Sequence, residues 1–181
     1  MHILTRGCFR YNQVMRQIRL YGDPVLRKRA EPVAPSGELD DLIEEMFETL
    51  RESEGLGLAA PQVGISKRLA VIHFGLISEG GERIAMLNPS IIEKGEEQTR
   101  NEGCLSFPGL RLDVNRASWV IFEFVDPQGN RHRYRAHGLA ARAVQHEIDH
   151  LNGILFIDYL PEAESKSVLE EWEKLQHKRK A

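Results

Sequence analysis

Cysteine is scarce in this chain of 181 residues: Cys8 and Cys104 are the only two. One disulfide is a poor staple count for a secreted framework. The count points instead to a reducing compartment, where an isolated cysteine is metal-binding, catalytic or simply buried. Long apolar runs are missing as well. None approaches the roughly 18–20 residues that a helix needs to span a bilayer, so no membrane association is expected. Nor is there a surplus of one charge. The formal net charge of −3 gives the surface as a whole no reason to bind DNA. No internal repeat, low-complexity segment or linker divides the chain. What is present is ordinary for a globular protein, 41% hydrophobic and 28% charged residues, at a length that suits one domain with a sizeable core.

The first 22 residues carry Arg6, Arg10, Arg16 and Arg19 and no acid. Such a composition fits an organelle-targeting segment, but it lacks the apolar stretch and cleavage site of a secretory signal. An upstream extension is the preferred reading, because Met15 is a second plausible start. Residues 18–35, with three prolines, read as extended chain with turns. From there Leu39, Leu42, Ile43, Met46, Phe47 and Leu50 recur at helical spacing and predict an amphipathic helix ending before Gly55, with Ser36 as a cap. Residues 68–74, 83–92, 117–126 and 131–137 are β-favouring runs. "DPQGN" at 126–130 is a turn between the last two, which favours antiparallel pairing. A second helix is expected over about 137–151 and a third from Pro161, docked through Val168, Leu169, Trp172 and Leu175. Helix, strands, then two helices is an α+β layout.

The stretch "QHEIDHLNGILF", residues 145–156, falls on the second helix and contains His-Glu-x-x-His. At about 100° per residue, His146 and His150 project within roughly 40° of each other, one turn apart. Neutral imidazoles so placed can close on one divalent ion, while Glu147 is rotated enough to reach a metal-bound water as general base. Asp149 is expected to orient a ligand or a neighbouring segment rather than bind metal. Two histidines do not complete a catalytic site. In one class of such proteases a third His follows, but that position here is Phe156. Two sources for the third ligand remain. One is downstream, a carboxylate among Glu170, Glu171 and Glu173. The other is upstream, Cys104 in "RNEGCLSFPG", where a thiolate suits zinc or ferrous iron and Gly103 lets the backbone approach closely. In "EGLGLAAPQ", residues 54–62, the glycines loosely match a dinucleotide-binding fingerprint, yet the segment follows a helix and contains Pro61. It reads better as backbone exposed to a ligand, with Gln62 offering its amide to a developing oxyanion.

"GLGLAAPQ", "EGCLS" and "QHEIDHLNG", in that order, resemble the three signature motifs of peptide deformylases, and "DPVLRKRA" and "GILFIDYLP" flank them as in that family. The resemblance covers about residues 18–161, with the C-terminal helix similar to the bacterial type I form. It implies antiparallel β-sheets packed around a central HExxH helix, with one N-terminal and one C-terminal helix. It divides the chain into an extension at 1–17, a catalytic domain at 18–161 and a helix of the same domain at 162–181. It also implies Cys104, His146 and His150 as ligands of one divalent ion, ferrous iron in the cell, with Zn2+, Ni2+ or Co2+ able to replace it. The implied reaction removes the N-formyl group from formyl-methionine of nascent polypeptides and releases formate. Glu147 is then the base, and Gln62 and the Leu105 N–H hold the oxyanion. Leu56, Gly57, Glu102, Gly103, Leu139 and Arg142 surround the substrate, and Arg116 pairs with Glu102. Further expectations are a bacterial cytoplasmic location, with organellar import as the lesser alternative, and a ribosome contact through the basic end at Lys174, His177, Lys178, Arg179 and Lys180.

Overall fold

A computed structural model describes residues 15–76 and 82–180, with no side-chain description for Arg179 and Lys180. Arg6, Cys8 and Arg10 of the expected N-terminal extension lie outside the described residues. The predicted first helix is α1 (Asp40–Glu52), preceded by a 3-10 turn at Gly37–Leu39. All six residues of its apolar stripe are buried. Ser36 stands at the start of that turn, but its side chain makes no capping bond. Asp40 and Asp41 occupy the first helical turn instead, where acidic groups face the positive end of the helix dipole. Part of the expected N-terminal extension is docked on α1: the Arg16 N–H donates to Thr49 Oγ1 and its guanidinium pairs with Glu45 at 2.6 Å.

Among the described residues five strands follow, β1 (Gly57–Ala59), β2 (Leu69–His73), β3 (Arg83–Gly103), β4 (Arg111–Val125) and β5 (Arg131–His137). They are antiparallel throughout and form one sheet in chain order. A single sheet suffices because β3 and β4 are long and irregular, with register shifts between Leu87 and Ser90 and between Ile91 and Glu93. Such bulges bend a sheet around what it packs on. The "DPQGN" turn closes β4 onto β5, with Gly129 at φ 90° and the Asn130 N–H bonded to Asp126 Oδ1.

The residues of β2 and the start of β3 show what the sheet lies between. Leu69, Val71 and Leu87 join the α1 cluster, whereas Ala70, Ile72 and Met86 join the cluster around α2 (Gly138–Leu151). Successive strand residues point to opposite faces. A strand covered on both sides therefore reads as an unbroken apolar run. Helix α2 is buried along almost all its length and is fastened to β4 by Gln145, whose amide accepts from the Ala117 N–H and donates to the Ala117 carbonyl. Gly153, at φ 75°, ends it. The Ile154 N–H reaches back to the Asp149 carbonyl and the Gly153 N–H to that of His150, the paired bonds of a glycine-terminated helix. Arg68 donates to the Leu151 carbonyl at 3.1 Å. Helix α3 (Glu162–Lys180) begins just after Pro161 and docks through Trp172, which with Gln176 donates to the Pro108 carbonyl. Leu175 departs from expectation. It is 51% exposed, because the docked face of α3 continues from Trp172 to Gln176, one turn on, and leaves Leu175 to the side.

Candidate metal centre and active site

Three elements converge on one cleft of about 470 Å³. The loop after β3 brings Cys104, α2 brings His146 and Glu147, and the 3-10 turn after β1 brings Gln62; His150, one turn further along α2, is buried against Cys104. The loops are tied together by the extended N-terminal segment: the Arg19 N–H donates to the Gln62 carbonyl and the Tyr21 N–H to that of Ser106. The donor atoms of Cys104, His146 and His150 all lie within 4.8 Å of one another. Cys104 Sγ is 3.3 Å from His150 Nε2, which is 3.2 Å from His146 Nε2. Glu170, Glu171 and Glu173 are exposed on α3 and take no part in this group, which removes the downstream ligand option. Phe156 is buried, 5.0 Å from Phe107 between ring centroids and edge-on to His146. The position of a third His is thus core packing.

Behind the centre lies an ionic network. Glu102 Oε1 faces His146 Nδ1 at 2.6 Å, and Arg116 grips both Glu102 oxygens at 2.8 Å. Burial alone would push Glu102 up, but the hydrogen bonds from His146 and Arg116 outweigh it and hold the carboxyl well below the usual range. Arg116 is likewise held above its ordinary value, its burial cost overcome by Glu102 and Asp149. An ionised Glu102 fixes the proton of His146 on Nδ1 and leaves the Nε2 lone pair facing Cys104 and His150. Two imidazoles and a thiol presented this way fit a single zinc or ferrous ion.

Asp149 hydrogen-bonds to no histidine among the described residues; it pairs with Arg116 at 2.7 Å and accepts from Tyr159. Arg142 borders the cleft, but its guanidinium is engaged by Glu102 and by the carbonyls of Val114 and Gln98. Leu139 stands at the rim, 52% exposed. Leu56, Gly57 and Gly103 line the walls, and the N–H of Leu105, also on the wall, has no partner among the described residues. Gln62 is buried, its Oε1 accepting from the Ala59 N–H while Nε2 points to Ser106 Oγ at 3.3 Å and Cys104 Sγ at 3.7 Å.

Glu147 is 3% exposed, and its Oε2 has no partner among the described residues. Burial pushes its carboxyl up to about 7, against the pull of His146. The side chain lies directly on Gly57, where a Cβ would collide with Oε1. Gly57→Ala is therefore expected to displace the carboxylate and lower turnover by about 100-fold, as small misplacements of a reacting group do, with metal content unchanged. Turnover and metal analysis of the purified variant check this. Sequence reasoning passed over Ser106, Gln145 and Tyr159. All three stand within quoted stretches, Tyr159 in "GILFIDYLP", but no spacing there marks the partners of Tyr159, which are Asp149 and Arg116.

A histidine pair on a buried helix, a nearby thiol and an unpartnered carboxylate in a cleft together define a mononuclear metal-dependent hydrolase. Known proteins narrow this class. A profile described as Polypeptide deformylase matches residues 15–166. The peptide deformylase of Halothermothrix orenii is 52% identical over 143 residues, covering 78% of this chain and 91% of that protein. That of Endomicrobium trichonymphae is 45% identical over 166 residues, 91% of this chain and 96% of the relative. Among solved structures, the peptide deformylase of Legionella pneumophila superimposes with a TM-score of 0.84 at 38% identity, covering 92% and 98% of the two chains. That of Synechococcus elongatus in complex with actinonin gives 0.80 at 41%, covering 86% of each. The chain belongs to the polypeptide deformylase family.

Proposed function

We propose that this enzyme carries out the family's reaction in the cleft described above, with Glu147, Gln62 and Leu105 acting around one divalent ion held by Cys104, His146 and His150. The reaction is hydrolytic removal of the N-formyl group from the N-terminal formyl-methionine of new polypeptides, with release of formate. The observation that carries the reading is the clustering of the Cys104, His146 and His150 donor atoms beside the unpartnered oxygen of Glu147 at a cleft lined by Cys104, His146 and Glu147. When bound, the ion supplies Lewis acidity, polarising the formyl carbonyl and making water a nucleophile near neutral pH. Glu147 accepts the proton of the attacking water and returns it to the departing amine nitrogen. The Gln62 amide and the Leu105 N–H donate to the oxygen that gains charge as the formyl carbon becomes tetrahedral. The peptide lies along Leu56 and Gly57, beside β1 at the sheet edge, where main-chain pairing gives affinity without reading most side chains. Leu139 and Ala143 border the space for the methionine side chain. Glu102, Arg116, Arg142 and Asp149 brace the ligands; the engaged guanidinium of Arg142 favours this role over substrate contact.

Ferrous iron is the proposed cellular ion, with Zn2+, Ni2+ or Co2+ as substitutes that the same donor set accepts. Protein loaded with iron without oxygen is expected to release formate from formyl-Met-Ala-Ser and to lose activity in air as the metal and Cys104 oxidise. No formate from the loaded wild type would overturn the reading, and equal half-lives with and without oxygen would overturn the choice of iron. The docking of Trp172 on Pro108 supports treating α3 as part of the catalytic unit at 18–161. A ribosome contact through Lys174 and Lys178 is expected to weaken on reversal of both charges. Unchanged co-sedimentation with ribosomes would remove it. The bacterial cytoplasm is the proposed site of action, which fractionation of expressing cells tests.

A further inference from the structure

Arg116 is almost completely enclosed, its side chain 1% exposed. A buried guanidinium needs an acceptor for each of its N–H groups. Nε and Nη2 go to the two oxygens of Glu102, and Nη1 divides between Asp149 Oδ2 at 2.7 Å and the Tyr159 hydroxyl at 3.2 Å. Tyr159 in turn donates to the same Asp149 oxygen at 2.9 Å, and its ring lies over the guanidinium at 4.8 Å. A residue 45% exposed thus closes a triangle of hydrogen bonds on a buried cation. The line runs on without a break from Tyr159 and Asp149 through Arg116 and Glu102 to His146 Nδ1.

We infer that Tyr159 is a positioning residue for the metal centre: through Asp149 and Arg116 it holds the Glu102 carboxylate where it orients His146. The inference rests on the reading of His146 as a metal ligand. The hydroxyl satisfies the outer Nη1 donor and shares Asp149, so Arg116 is fixed in the plane that grips Glu102 with both of its arms. Without the hydroxyl, Arg116 is free to turn toward Asp149, and Glu102 keeps Arg142 alone as a fixed partner on its Oε2, away from the Oε1 that faces His146. Outer hydrogen-bond partners of ligand histidines commonly change metal affinity by about 10–100-fold.

Tyr159→Phe keeps the ring cover and removes only the hydroxyl. Protein loaded with Co2+ is mixed with excess EDTA, and loss of the thiolate-to-cobalt absorption is followed. The variant is expected to release cobalt about tenfold faster than wild type, with KM unchanged and kcat reduced. Asp149→Asn is the second arm. Release is expected to quicken there too, and adding Tyr159→Phe to it should change the rate by less than about twofold, since both act through one path. A release rate in Tyr159→Phe equal to wild type overturns the inference, as do fully multiplicative effects of the two substitutions. A lower melting temperature with unchanged release shows a packing role only and also overturns it. Failure of wild type to hold Co2+ sinks the metal reading itself, a result distinct from these.

Discussion

Glu147→Gln is expected to cut formate release by about 10³-fold, the scale of a lost general acid–base group. Metal content should stay at the wild-type level. The carboxylate is not among the clustered donors Cys104, His146 and His150, so its removal leaves the ion's ligands intact. Gln keeps the shape of the side chain against Gly57, where a Cβ has no room, and KM should change little. Fold stability should not fall. The native carboxyl is buried with one oxygen unpartnered, a cost that a neutral amide does not increase. Steady-state kinetics, metal analysis and thermal melting together test this. Turnover within a few-fold of wild type would remove Glu147 from the mechanism.

The largest effect on stability is expected from Glu102→Ala. Glu102 accepts from Arg116 twice, from Arg142 and from His146, and all four residues are buried. Its removal leaves two enclosed guanidinium groups facing each other's charge with no shared counter-ion. Breaking a buried ion pair from one side costs about 3–5 kcal/mol, and here one acid serves two bases. The same change strips His146 Nδ1 of its acceptor, so the variant should also bind metal more weakly. Urea unfolding of the metal-loaded proteins gives the first quantity and metal stoichiometry the second. A loss under about 1 kcal/mol would mean that water or Asp149 replaces Glu102, contrary to the closed network described above.

The elements that could be read from sequence were those whose spacing matched a single period. α1 announced itself through six residues on one helical stripe, and the "DPQGN" turn through its Asp and Gly. The second half of β3 escaped notice because residues 93–103 are charged and largely exposed, held by pairs such as Asn115 with Glu97 and Asn101 with Asp113 rather than by apolar packing. The matching half of β4 did carry an alternation, with Leu112 and Val114 inward, but it ends on Arg116, which also points inward. A charged residue at an inward position hides a strand and marks a site. β1, three residues long, has no period to show. Within the site, Cys104, Gln62 and the helix motif were legible because each sits in a local pattern. Tyr159 and Gln145 stand in quoted stretches too, but their bonds to Arg116 and Ala117, 43 and 28 positions away, leave no mark in the local pattern.

The bends of β3 and β4 around α2 have a consequence for how the chain matures. The thiol of Cys104 and the ring of His150 are 46 positions apart in sequence, one on a hairpin and the other on a helix. No short peptide from this chain contains the donor set, which comes into being only when hairpin and helix have docked. A bound ion then acts as a cross-link, closing a loop that the unfolded chain leaves open at a cost in entropy. The free energy of binding such an ion would be added to that of the fold.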